Sequence, residues 1–191
     1  GQAPAVLGVF RTPDATIFSW DVAVQKARTA VFFSNHARAY SSRTVGFLAQ
    51  ENYPPGLENQ PPGPFFGLQE RFALPVLTGS GVVNPNLPNG ITVFPGGFPL
   101  YRNGVLVGAI GISGDGIDQD DLIGAAGTEG FQPAPTASSQ RPSPSRSRAA
   151  RQTLSCGVRS SAITCLSQPG LRYHCTVRLS ASWMSGRPSP S

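Results

Sequence analysis

Gly90 to Gly127 reads GITVFPGGFPLYRNGVLVGAIGISGDGIDQDDLIGAAG, and the reading of this stretch decides the fold. Asn103-Gly104 separates two apolar runs, and an Asn-Gly pair in that setting predicts a type I′ hairpin, whose two central residues both need positive φ. The arms are expected at Phe98 to Arg102 and Val105 to Ser113. The second arm, VLVGAIGIS, is apolar at nearly every position, so both of its faces are expected to be covered. Gly108 and Gly111 leave room for something to pack closely against that strand. Beyond it, Asp118 is expected to cap a helix, with Asp120 and Asp121 in its first turn, where the helix dipole favours negative charge. Leu122, Ile123, Ala125 and Ala126 supply an apolar face, and Gly127 is the expected stop. Hairpin followed by helix predicts a sheet with a helix laid on it.

Upstream, VLGVF (Val6 to Phe10) reads as a strand and RTPDAT as a turn. A helix is expected from Ser19 as N-cap, with Trp20, Ala23, Val24, Ala27, Ala30 and Val31 at helical spacing. A second stripe on it carries Lys26, Thr29, Phe33 and His36 at steps of three, four and three, with Tyr40 a turn further on. Residues 41–90 form a long, irregular segment. Ser42 to Gln50 suits a short helix, and prolines at 54, 55, 61, 62, 64, 75, 85 and 88 then prevent regular structure. Tyr53, Phe65, Phe66, Leu68, Phe72, Leu74, Val76 and Leu77 keep this segment apolar, which suits a lid or a subunit contact.

The net charge of +5 belongs to two different objects. Residues 1–135 carry Arg11, Lys26, Arg28, Arg38, Arg43, Arg71 and Arg102 together with every acidic residue of the chain. Residues 136–191 carry the other basic residues, all arginine, and no acid. A basic pI therefore says nothing about the first part. From Thr136 the text is Ser, Arg and Pro with scattered Cys and no sustained period, which cannot bury a core. Two units follow, a domain at 1–135 and a tail at 136–191. The tail reads as a nucleic-acid-binding arm, as a plain disordered extension, or as a GC-rich gene read out of frame. The last is favoured because the change is abrupt and total, and nucleic acid is not expected as a partner. No run reaches the roughly 18 apolar residues of a membrane span, and no address is legible.

VAVQKARTA (Val22 to Ala30) and FPGGFPLYRNGVLVGAIGISGDGIDQDDLIGAAG (Phe94 to Gly127) together resemble the GlcG/HbpS-like haem-binding family, also called the haem-degrading domain family. The carrying motifs are Lys26-Ala27-Arg28-Thr29-Ala30, Gly96-Gly97-Phe98-Pro99, the strand end Gly108 to Gly114, and Gln119-Asp120. They occur in the family's order, over roughly residues 5–130. The resemblance implies an α+β, profilin-like unit, a mainly antiparallel sheet with packed helices, assembled into homo-oligomers. It implies haem or another tetrapyrrole as ligand in some members and glycolate or diol metabolism around others. Family members begin with a helix and a strand ahead of the one at Val6, so this chain reads as starting mid-domain. Its 41–90 loop is also longer and richer in proline than the family's.

Haem asks for an apolar slot, an optional axial ligand and cations for its propionates. His36, the metal-ligand candidate, or Tyr40 suits the axial role and Phe33 the macrocycle. Lys26 and Arg28 suit a carboxylate, and Thr29 joins them as part of the motif. The plainer reading of the same stripe is a solvated helix face with one surface histidine. Pro95-Gly96-Gly97 offers backbone N–H groups to an anion, or is only a tight turn into the strand. Other patterns fail on spacing. Gly108, Gly111 and Gly114 lack the G-x-G-x-x-G order. Asp115, Asp118, Asp120 and Asp121 lack the alternation of a calcium loop. Cys156, Cys165, His174 and Cys175 lack paired zinc spacing. With His36 and His174 as the only histidines, a nucleophile–histidine arrangement has almost no candidates. The expected function is binding of haem or a related tetrapyrrole, or of a small anion, by an oligomeric module. The alternative is an enzyme or accessory protein acting on small hydroxyacids or on haem.

Overall fold

The computed structural model describes residues 4–72, 89–114, 116–135, 138–139 and 162–167. In chain order the elements are β1 (Ala5–Arg11), α1 (Ser19–Phe32), β2 (Arg38–Ala39), α2 (Ser42–Leu48), α3 (Leu68–Phe72), β3 (Gly97–Arg102), β4 (Val105–Ser113), α4 (Ile117–Gly127), β5 (Ser138–Ser139) and β6 (Ala162–Ser167). One sheet has the order β1-β6-β4-β3, and a second pairs β2 with β5. All neighbours in the larger sheet run antiparallel. Helices packed on a mainly antiparallel sheet make the fold α+β.

The hairpin forms where the turn chemistry put it. Arg102 lies opposite Val105, and Asn103 and Gly104 take φ of 51° and 77°, both positive as the tight turn requires. β4 is buried on both faces over Val107 to Ser113. One face carries Ile110 and Ile112, which join Leu100 and Val107 beneath Phe98 and Ile123 of α4. The other carries Ala109, packed on Ala27, Ala30 and Val31 of α1. Gly111 sets the closeness of that second contact, since a Cβ there would overlap the Ala23 carbonyl oxygen and lie 2.8 Å from Ala27 N. Small side chains on α1 and no side chain on β4 bring helix and strand backbones together.

Three local expectations are corrected. α4 begins at Ile117 behind Gly116, so Asp118 sits in its first turn without capping it. α1 is preceded by Phe18, and Ser19 is its first residue, with its hydroxyl bonded to that of Thr16. α1 also stops at Phe32, because the Asn35 carboxamide oxygen accepts from Ala37 N and Arg38 N at 2.8 and 3.0 Å and turns the chain away. His36 and Tyr40 therefore do not continue the helical stripe.

Two short segments beyond residue 135 are described, and both are strands. Ala162–Ser167 fills the position between β1 and β4, and Ser138–Ser139 pairs with β2. The physical reason is that β1 and β4 each present a row of backbone groups needing partners. Residues 162–167, with Ile163, Thr164 and Leu166, have the composition of a strand. The proline-rich segment folds back over α2: Tyr53 N donates to Pro61 O, Gly63 N to Gln50 O and Phe65 N to Leu48 O, at 2.9–3.0 Å. The expectation of a lid or subunit contact rests partly on residues 73–88, which lie outside the described residues.

Candidate functional site

The helix α1 is buried on nearly every side, including at Lys26, Arg28 and Thr29. Lys26 is the centre of a polar junction. Its Nζ donates to Asp120 Oδ2 at 2.7 Å and to the Ile112 carbonyl at 2.8 Å, and the two paired side chains are only 2% and 4% exposed. Burial pulls the Lys26 ammonium below the ordinary lysine value, against the opposing pull of the Asp120 bond and charge. Burial likewise raises Asp120, with Lys26 working the other way.

The Pro95-Gly96-Gly97 turn is tied into the same junction. Gly96 N donates to Asp121 Oδ1 at 2.6 Å, and Gly97 N donates to Ser42 Oγ at 2.8 Å. Ser42 in turn donates to the Phe94 carbonyl at 2.6 Å. Arg43 closes the ring with one bond to Asp121 and another to Asp118 at 2.7 Å. Burial works against the Arg43 charge, but its bonds to Asp121 and Asp118 prevail and raise its pKa. Gly96, at φ 110°, leaves no room for a side chain: a Cβ would lie 2.5 Å from Ile112 O and 2.9 Å from Asp120 Cβ. The turn does hold a carboxylate, and it is the chain's own.

The predicted site residues thus separate. Lys26, Gly96 and Gly97 come together, but with Asp120, Asp121, Ser42 and Arg43 as their partners. The motif's threonine is also occupied: Thr29 Oγ1 donates to Thr92 O at 2.6 Å and accepts from Thr92 N at 3.2 Å. Spacing alone gave no sign of Ser42 and Arg43. Asp120 had a signal, because a lysine facing the core of a helix needs an acid, and four aspartates follow β4.

At the other end of α1 the surroundings change. Phe33 is half-buried against Phe65, with ring centroids 5.0 Å apart and tilted by 46°. Tyr101 anchors the turn that follows, its hydroxyl at 2.8 and 2.9 Å from the carbonyl oxygens of Asn35 and Arg38. His36 and Arg38 lie exposed in that turn. Among the described residues no three His, Cys, Asp or Glu side chains group to hold a metal ion. No helix among them is long and apolar enough to cross a membrane.

Comparison with known proteins bears on this arrangement. A profile of the family described as haem degrading protein HbpS-like matches residues 2–129. The chain belongs to the HbpS-like family. The junction and the shoulder at the end of α1 both lie within the matched residues. Corrinoid adenosyltransferase PduO of Salmonella typhimurium (strain LT2) is 28% identical over 111 residues, 58% of this chain and 24% of that protein. Corrinoid adenosyltransferase PduO of Citrobacter freundii is 29% identical over 129 residues, 62% of this chain and 30% of that protein. The chain therefore spans 24–30% of these relatives' length. No solved structure matches it.

Proposed function

We propose that this HbpS-like chain binds a tetrapyrrole at the shoulder where α1 ends, with His36 as the axial donor. The observation that carries the reading is the exposed imidazole of His36, which makes no hydrogen bond among the described residues and stands three residues beyond the Phe33–Phe65 pair. An unengaged imidazole, an aromatic flank and the exposed Arg38 guanidinium are the donor, the apolar wall and the propionate partner that a metal macrocycle asks for. Tyr101, by fixing the carbonyls of Asn35 and Arg38, holds the turn that presents them. The bound macrocycle supplies the redox-active metal; the chain's own part is to seat it and keep its edge charge matched. The family name supports haem, and the relatives' names support a corrin.

Titration of the full chain with haemin and, separately, with cobalamin tests the reading. A shifted and sharpened absorption band that saturates with one of them is expected, reduced in Phe33→Ala and lost or moved in His36→Ala. No spectral change with either compound sinks the proposal, and an unchanged spectrum in His36→Ala sinks the axial assignment. Assembly into homo-oligomers belongs to the same reading, supported by the large apolar side chains of Val6, Leu7, Phe10, Ile17, Phe18 and Trp20 that β1 and the start of α1 leave exposed. Light scattering that gives the monomer mass removes it.

A further inference from the structure

Two cations are buried in α1, and among the described residues only one of them has an anion. Lys26 has Asp120. Arg28 is 5% exposed, its Nε and Nη1 make no hydrogen bond, and no acidic side chain pairs with it among the described residues. Those two atoms carry three of the five N–H donors of a guanidinium. Two residues on from Lys26, Arg28 lies about 200° round the helix from it, and about 140° from Phe33. It thus belongs neither to the junction nor to the shoulder. Its helix neighbours Val24 and Val31, at four residues before and three after, are both buried and apolar. A guanidinium does not shed its proton in a protein, so it cannot escape the cost of burial as a lysine does.

We infer that Arg28 is the anchor of a second site, one that takes the carboxylate of a small organic acid. The charge balance selects the ligand class. Lys26 and Asp120 cancel each other, which leaves a single positive charge on this flank of α1, and a carboxylate neutralises it with one negative charge. A phosphate dianion leaves a surplus in desolvated surroundings. The two nitrogens without partners, Nε and Nη1, lie on different edges of the guanidinium, and each suits a single bond to a carboxylate oxygen. The inference stands apart from the tetrapyrrole reading, because the shoulder residues lie on a different flank.

The test is thermal unfolding of the full chain at fixed pH and ionic strength, with acetate, succinate or benzoate against chloride and against phosphate. A carboxylate at ten times its dissociation constant is expected to raise Tm by roughly 3–6 °C, while phosphate does not. Arg28→Met is expected to melt no lower than the natural chain without added carboxylate, since it removes an unpaired buried charge. It is also expected to lose the carboxylate response. Arg28→Lys, which keeps the charge without the Nε and Nη1 donors, is expected to respond weakly. A natural chain indifferent to all three carboxylates overturns the inference, as does an equal response in Arg28→Met. An Arg28→Met chain that melts lower or fails to fold overturns it too, because Arg28 then has an internal partner. A response to phosphate alone overturns the ligand class.

Discussion

Replacing Asp120 by leucine, which keeps the branching at Cγ, strands the Lys26 ammonium in a site where its side chain is 2% exposed. The penalty has a ceiling, because a stranded lysine can give up its proton. Doing so at pH 7 costs about 1.36 kcal/mol for each unit up to the ordinary value of 10.5, or about 4.8 kcal/mol. The reverse change, Lys26→Met, strands the carboxylate, and protonating it from its ordinary 3.8 costs about 4.4 kcal/mol at pH 7. Both ceilings agree with the roughly 3–5 kcal/mol lost when one member of a buried pair is removed. Combining the two substitutions leaves no charge behind, so the double variant is expected within about 1 kcal/mol of the natural chain or above it. Urea unfolding monitored at constant m gives all four stabilities and the coupling between the sites.

The pH profiles separate this account from simple loss of packing. In Asp120→Leu the lysine is displaced below 10.5, so the unfolded chain binds a proton that the folded chain lacks. Stability therefore climbs as pH rises toward 10.5. In Lys26→Met the carboxyl is displaced above 3.8, the folded chain holds the extra proton, and stability falls as pH rises through that displaced value. Opposite slopes are expected, and the double variant lacks both. Single-variant losses below about 1 kcal/mol, or parallel slopes, would falsify the buried-pair reasoning.

The other contacts of the junction and the sheet give sharper, smaller tests. Gly111→Ala forces a methyl group into the Ala23 carbonyl and is expected to cost about 1–3 kcal/mol by urea unfolding, whereas Gly8→Ala, where a Cβ meets nothing within 4 Å, is close to neutral. Asp121→Ala breaks bonds to Gly96 N and Arg43 and is expected to cost about 1.5–3 kcal/mol. Asp118, 86% exposed, contributes under about 1 kcal/mol, so equal losses at the two positions contradict the ring as described. Gly8 is the Cα partner of Cys165, and a Cβ at Gly8 is unobstructed. In a Cys156→Ser/Cys175→Ser background, Gly8→Cys is expected to form an intrachain disulfide on oxidation; a chain that stays reduced disproves the β1–β6 register.

The hairpin, α1 and α4 were legible because each is fixed by neighbours in sequence. Asn-Gly sets the turn, alanines at steps of four and three set the face of α1, and aspartates mark the start of α4. Two of the failures share a cause, which is that a distant partner decides the outcome. The amides of Gly96 and Gly97 look open in sequence, yet Asp121 and Ser42, 25 and 55 residues away, take them. The strand at 162–167 is disguised by arginine, serine and proline around it, and its role is set by the gap between β1 and β4. The stripe from Lys26 to His36 fails for a local reason, since periodicity predicts a face only while the helix lasts, and Asn35 ends it.

The motif residues that carry the family resemblance are mostly spent on architecture. Lys26, Gly96, Gly97 and Asp120 meet at one point because α1, β3 and α4 all converge there, and apart from Asp120 Oδ1, which is buried without a hydrogen-bond partner, their polar atoms satisfy one another. A group whose hydrogen bonds are filled from within gains little from an external ligand, since binding would exchange one bond for another. Recognition is then expected where polar atoms are left over. Among the described residues, besides Asp120 Oδ1 inside the junction, two such places stand out, the exposed His36 beyond the end of α1 and the buried Nε and Nη1 of Arg28 on its flank. They differ in kind. His36 is open to solvent and costs the fold nothing while empty, so removing it changes binding alone. Arg28 is desolvated and unpaired, so the fold bears its cost until a carboxylate arrives, and removing it changes stability and binding together in opposite directions.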